Sequence, residues 1–132
     1  MSEHPTREAL ESDLEYVVES WMHHARDPGQ TVRRFKSWAM EVLSRDEVTV
    51  RVAYVPDDPD AILGFAVVEL GTLPVPPCVH YVYVRSKARG LGVARSLLAD
   101  LLAHSGPVDC STRAPNTRFP ENWRFSPNRW PE

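Results

Sequence analysis

The chain has 132 residues, 42% of them apolar and 25% charged, with a formal net charge of -3. That length supports one domain over 1–132 with a single core and leaves no room for a second. No run approaches the ~20 apolar residues of a membrane span, and the start Met1-Ser2-Glu3-His4-Pro5 lacks the basic and apolar regions of a signal peptide, so a cytoplasmic location is expected.

Along the chain, Leu10, Leu14, Val17, Val18 and Trp21 recur at helical spacing, and Asp27-Pro28-Gly29 ends that helix in a turn. Thr31 is a candidate N-cap for a second helix carrying the apolar stripe Val32, Phe35, Trp38, Ala39, Val42 and Leu43. From Val48 the period becomes two. Val48, Val50, Val52 and Tyr54 alternate with Thr49, Arg51 and Ala53, which predicts a strand with one wet face. Asp57-Asp58-Pro59-Asp60 turns the chain, and residues 61–70 return as the hairpin partner. The prolines of Leu73-Pro74-Val75-Pro76-Pro77 make that segment a connection.

The next strand runs over 78–84, and alternation sets Cys78, His80, Val82 and Val84 on one face and Val79, Tyr81 and Tyr83 on the other. After a glycine loop, a helix is expected from about Gly92 to His104, with Val93, Leu97, Leu101 and Leu102 inward. Ser105-Gly106-Pro107 ends it, and residues 108–112 form a short strand candidate. Pro115, Pro120, Pro127 and Pro131 then leave space only for a short helical turn and a short final strand.

Two features of composition bear on chemistry. Cys78 and Cys110 show neither a disulfide framework nor metal-ligand spacing with histidine, and the adjacent His23 and His24 point apart on a helix, so no metal site is expected. Residues 1–84 hold 7 Lys and Arg against 14 Asp and Glu, whereas residues 85–132 hold 8 against 4. Such a division would draw phosphate to one side and a cationic amine to the other; ordinary surface charge is the plainer explanation.

The stretch Arg89-Gly90-Leu91-Gly92-Val93-Ala94, entered from a strand and left through a helix, offers free backbone N–H groups to phosphate oxygens. A dinucleotide fingerprint would need glycine or alanine where Arg95 stands, and a Walker loop would need a Gly-Lys-Ser/Thr ending that is absent. A glycine turn that merely joins strand to helix is the alternative. Arg89, Gly92 and Ala94 do match a Q/R-x-x-G-x-G/A signature, placed five residues after Val84. This resembles the acyl-CoA loop of the GNAT-type N-acetyltransferase superfamily.

The resemblance covers about residues 5–125 and is specific over 79–98. It implies an α/β (α+β) fold of one domain, with two N-terminal helices and a mixed central sheet splayed at the acyl-CoA site. One helix would follow the glycine loop, the C-terminal part would be shortened, and the first strand would be short or missing. Acetyl-CoA would be the cofactor, its pyrophosphate on Arg89, Gly90, Leu91, Gly92, Val93 and Ala94 and its pantetheine arm along Val82, Tyr83 and Val84. Asn116 would be a further contact. A backbone N–H near Val82 or Tyr83 would polarise the thioester carbonyl.

An alkylammonium acceptor must lose a proton before it attacks, and histidine, with an unperturbed pKa of ~6.5, suits that task. The register of His80 is similar to that of arylalkylamine N-acetyltransferases, which have histidines at positions matching 78 and 80; here Cys78 replaces the first. The resemblance implies His80 as catalytic base, with a satisfied structural histidine as the alternative. No tyrosine follows Tyr83, so the acid that many relatives carry is missing; Ser111, Thr112 and Asn116 are the hydroxyl or amide groups nearby.

The acceptor would be an amine of a small molecule or a protein. Glu69, the Asp57-Asp58-Asp60 turn and Glu121 could hold its charge, while Trp21 and Met22 could line an apolar pocket. The tail from Asn122 to Trp130 could meet a partner or nucleic acid by stacking. The enzyme would be a monomer or homodimer, and its compressed tail resembles short acetyltransferases of phages. A non-catalytic GNAT-like binding module and a nucleic-acid-modifying acyltransferase are the other readings.

Overall fold

A computed structural model describes residues 4–25, 29–71, 75–102, 106, 108–111 and 123–125. Among the described residues, six strands form one sheet in sequence order: β1 (Thr6–Glu8), β2 (Val48–Val55), β3 (Asp58–Glu69), β4 (Cys78–Val84), β5 (Asp109–Cys110) and β6 (Arg124–Phe125). The first four are antiparallel neighbours, and β4, β5 and β6 run parallel. The helices are α1 (Glu11–Ala25) and α2 (Val32–Leu43) between β1 and β2, then α3 (Val93–Leu97) and α4 (Ala99–Leu102) in the crossover from β4 to β5. The three-residue β1 is the shortened first strand that the resemblance implied, and β6 is the short final strand.

The sheet is covered on both faces. On one, Val17 and Trp21 of α1 and Phe35, Ala39 and Val42 of α2 pack against Val50, Val52, Phe65, Val67 and Tyr81. On the other, Val93, Leu97, Leu98 and Leu101 pack against Ala53, Ala66, Val68, Val79 and Val82. Ala53 is therefore fully buried, so the wet face that alternation predicts for β2 is kept in part at the half-buried Thr49 and Arg51 and is covered at Ala53, small enough to sit beneath a helix. Trp123 packs against this second cluster.

Local chemistry sets the helix boundaries. The Thr31 hydroxyl accepts from the Arg34 N–H at 3.1 Å, as expected of the N-cap of α2. Leu10 and Val32, both assigned to apolar stripes, lie outside their helices' buried faces and are exposed. For Leu10 the reason is the start of α1, where its N–H donates to Asp13 Oδ2 at 2.7 Å in a reciprocal cap. The single helix expected from Gly92 to His104 is broken at Leu98, whose φ of -106° and ψ of 16° interrupt α3 and α4. Leu97 and Leu101 on either side of the break are buried, while Leu102, expected inward, is exposed, so the segment keeps part of its core face while losing helical continuity.

Gly64 marks the tightest strand contact: a Cβ there would fall on the Tyr83 carbonyl oxygen, so only glycine lets β3 and β4 approach beside Val84. No described helix is long and apolar enough to cross a membrane. Thr112, Asn116, Glu121 and all but three residues of the Asn122–Trp130 tail lie outside the described residues.

Candidate active site

Strand β4 pairs with β3 along its length, but with β5 only at Cys78↔Asp109 and Val79↔Cys110. One further bond, from the Ser111 N–H to the Val79 carbonyl at 3.1 Å, ends the described pairing. The edge of β4 from His80 onward thus turns toward no described strand. On the opposite side the Arg85 N–H donates to the Leu63 carbonyl at 2.9 Å. Because peptide groups alternate along a strand, those of Tyr83 point to β3 and those of Val82 and Val84 to the open edge. Arg89 Nε donates to the Val84 carbonyl at 3.1 Å, which gives the five-residue interval between them a physical meaning.

The loop that follows holds Gly90 at φ 79° and Gly92 at φ 85°, a conformation that favours glycine. A Cβ at either would meet no described atom within 4 Å. The Leu91 carbonyl accepts from His4 Nε2 at 2.8 Å, and the Gly92 carbonyl from the Ser96 N–H at 3.1 Å and hydroxyl at 3.2 Å. A trans peptide sets N–H opposite C=O, so the Gly92 and Val93 N–H groups point away from these donors. The orientation of individual N–H groups, rather than the dipole of the five-residue α3, is what this loop offers an anion. His4, which also donates its N–H to Ser96 Oγ at 3.2 Å, carried no sequence signal, since 87 positions separate it from Leu91.

At the other end of the open edge, Val67 pairs with Tyr81 and Val68 with Val79, leaving His80 as the extra residue of a β-bulge. This corrects the alternation expected from sequence. Val79 shares the α3 face with Val82, while His80 turns from that face toward α1, with its ring 6.4 Å from Trp21. The ring is fully buried. Its Nε2 lies 2.8 Å from Glu69 Oε1, its Nδ1 lies 2.7 Å from Ser111 Oγ, and Cys78 Sγ stands 3.9 Å from Nδ1.

Arg45 Nη1 donates to the same Glu69 oxygen at 2.8 Å. The hydrogen bond from His80, helped by Arg45 against the opposing effect of burial, holds the Glu69 carboxyl down to about 2. Glu69 Oε1 is accordingly engaged within the fold by His80 and Arg45. Arg45, just past α2, was not foreseen; nothing in its spacing links it to a strand end.

Trp21 is fully buried against Phe35 and Tyr81 and belongs to the core rather than to a ligand pocket. The Tyr81 hydroxyl contacts His24 Nδ1 at 3.1 Å and the Ser20 carbonyl at 3.2 Å, and burial pushes it up to about 12. Cys78 and Cys110 are buried thiols, the latter raised to about 11 by burial and by Asp109.

No protein-family model and no curated protein matches the chain. Solved structures do. AAC(6')-Iy, in complex with the bisubstrate analog CoA-S-monomethyl-acetylneamine, is similar over 76% of this chain and 70% of its own at 18% identity and a TM-score of 0.56. A structure described as histone acetyltransferase HPA2 and related acetyltransferase, from Corynebacterium glutamicum, covers 80% and 73% at 15% identity and 0.53. Ribosomal-protein-alanine N-acetyltransferase from Brucella melitensis biovar Abortus covers 74% and 68% at 20% identity and 0.51. By these likenesses, this chain has the GNAT-type N-acetyltransferase fold.

Proposed function

We propose that the chain is an acetyl-CoA-dependent N-acetyltransferase whose acceptor is an amine of a small molecule or a protein. The observation that carries the reading is that the β4 edge, which faces no described strand beyond Val79, continues into a loop of two left-handed glycines over which no described atom stands. The Gly92 and Val93 N–H groups would hold the diphosphate, with Arg89, Gly90, Leu91 and Ala94 completing the loop, and the surplus of Lys and Arg over 85–132 would favour its charge. Val82 and Val84, rather than Tyr83, would pair with the pantetheine arm. Asn116 stays a proposed contact on resemblance alone.

Acetyl-CoA supplies an activated acetyl thioester open to direct attack by a neutral amine. The Val82 N–H is a fixed dipole that would donate to the carbonyl oxygen as charge develops there, at no cost of reorganisation. His80 would be the base, and the anionic Glu69 beside it would stabilise the imidazolium it becomes. With Tyr81 tied to α1, the departing thiolate would take its proton from water. The similar AAC(6')-Iy structure holds the bisubstrate analog CoA-S-monomethyl-acetylneamine and the other is named a ribosomal-protein-alanine N-acetyltransferase, so a small-molecule and a protein amine are both carried as acceptors here.

Acetyl-CoA is expected to raise the melting temperature of the protein, and Gly92→Glu to abolish the rise by placing a carboxylate over the loop. A parent protein that shows no rise defeats the assignment. Mass spectrometry of cell extract incubated with the protein and labelled acetyl-CoA then identifies the acceptor. The lack of any tyrosine after Tyr83 favours one second reading, a coenzyme A-binding module, for which the melting temperature would rise without labelled product.

A further inference from the structure

A loop that offers bare backbone to an anion must be held in shape by something other than its ligand. Neither Gly90 nor Gly92 has a side chain to pack, and the side chain of Leu91 between them is exposed, so the peptides around Gly92 gain little restraint from their own residues. We propose that His4 supplies it. His4 is a positioning residue for the cofactor's diphosphate: it holds the Leu91 carbonyl to one side, so that the N–H of the same peptide, which belongs to Gly92, faces the other. The proposal rests on the acetyltransferase reading above and deepens it.

The placement of His4 begins in the sheet. Pro5 steers the residue before it away from helical backbone, and the Pro5 carbonyl accepts from the Tyr54 N–H at 3.2 Å. Thr6 pairs with Ala53, and its hydroxyl accepts from Arg51 Nη2 at 2.8 Å. The chain is thus fastened to β2 immediately after His4. Ala53 in turn lies in the same buried cluster as Val93 and Leu97 of α3. One small residue of β2 therefore has β1 beside it and α3 above it, which brings residues 87 positions apart within hydrogen-bonding distance.

The chemistry of the tie has one sense. A carbonyl can only accept, so His4 Nε2 carries the hydrogen of the 2.8 Å contact with Leu91. The backbone of His4 makes a second tie: its N–H donates to Ser96 Oγ at 3.2 Å, and that hydroxyl donates to the Gly92 carbonyl at 3.2 Å, beside the Ser96 N–H at 3.1 Å. Two successive carbonyls are engaged in this way, that of Leu91 by His4 and that of Gly92 by a serine bonded to His4. Left-handed Gly92 followed by helical Val93 makes the two opposed N–H groups converge, the backbone nest that suits an anion. A bond that only fastened β1 to its surroundings could fall on any carbonyl nearby. This one falls on the peptide that joins Leu91 to Gly92, whose N–H would meet the diphosphate. By linkage, whatever His4 adds to the affinity for coenzyme A, coenzyme A adds to the hold on His4.

The test measures coenzyme A binding by calorimetry in the parent protein, His4→Phe and His4→Gln. Phenylalanine keeps a planar ring without a donor, and glutamine sets an amide N–H near the place of Nε2. His4→Phe is expected to raise Kd about fivefold, the scale of one intramolecular hydrogen bond, and His4→Gln to return most of the affinity. In turnover the same loss should appear as a higher KM for acetyl-CoA with kcat retained. NMR of the parent protein gives two further readouts: the His4 ring should carry its hydrogen on Nε2, and exchange of the His4 backbone N–H with solvent should slow when coenzyme A is added. A parent-like Kd in His4→Phe would overturn the proposal, as would a His4→Gln that binds no better than His4→Phe. So would a hydrogen on Nδ1 alone in the parent, a result that needs no variant to fold. Absence of coenzyme A binding by the parent overturns the proposal together with the reading beneath it, whereas equal binding by the parent and His4→Phe overturns the proposal alone.

Discussion

His80 is enclosed, with a carboxylate on one ring nitrogen and a hydroxyl on the other; at the far end of the same strand edge, Gly90 and Gly92 stand with no described atom over them. One end is finished before any ligand arrives, and the other offers backbone. The difference follows from the chemistry each would do. A proton acceptor gains from fixed neighbours that set its tautomer, and an anion cradle gains from N–H groups left facing outward. The two ends should therefore answer differently to substitution: damage at His80 should appear in the stability of the protein itself, and damage at the loop chiefly in what it binds.

The largest expected effect is that of His80→Ala. It removes a buried ring and the bond that offsets the burial of Glu69, so stability measured by denaturant should fall by about 3 kcal/mol. A loss below about 1 kcal/mol would break the contrast by showing that the enclosed end is loosely held. Gly64→Ala comes next, at about 2 kcal/mol, because backbone on β4 must move to admit the methyl group. Since the displaced atoms adjoin Val84, this variant should also weaken the response to acetyl-CoA, joining the two ends in one measurement.

Gly92→Ala meets no neighbour and should cost only the left-handed conformation, roughly 1 kcal/mol, seen as a small fall in melting temperature. The last effect is electrostatic and is read as acid is added. Glu69 is depressed from 4.5 to about 2, so its contribution is complete above 4.5 and is lost as pH falls from there toward about 2. Acid unfolding followed by circular dichroism should show this limb in the parent protein and a flatter one in Glu69→Gln.

Much of this arrangement is legible in the residues. The glycine loop, its register to Val84, the N-cap at Thr31 and the hairpin of β2 and β3 all depend on neighbours close in sequence, and periodicity and turn chemistry report those. What was not legible depends on long-range geometry. The bulge at His80 cannot be read from Cys78-Val79-His80-Tyr81-Val82, because an extra residue is extra only relative to the partner strand. The commitment of Glu69 needed Arg45, 24 positions away, and the tie on Leu91 needed His4. The break at Leu98 likewise has no glycine or proline to announce it.

The order of the sheet has a kinetic consequence. Strands β1 to β4 meet as antiparallel neighbours, but β5 can join β4 only after the crossover from Val84 to Asp109, which carries the glycine loop, has closed. Closing such a connection is entropically demanding, and parallel pairing is correspondingly slow. A molecule that binds the loop adds its binding energy to that closure, about 2.7 kcal/mol at a hundredfold excess over Kd. On the proposed reading, acetyl-CoA bound to the loop would hold the folded chain against unfolding, and the protein would survive proteolysis longer in its presence.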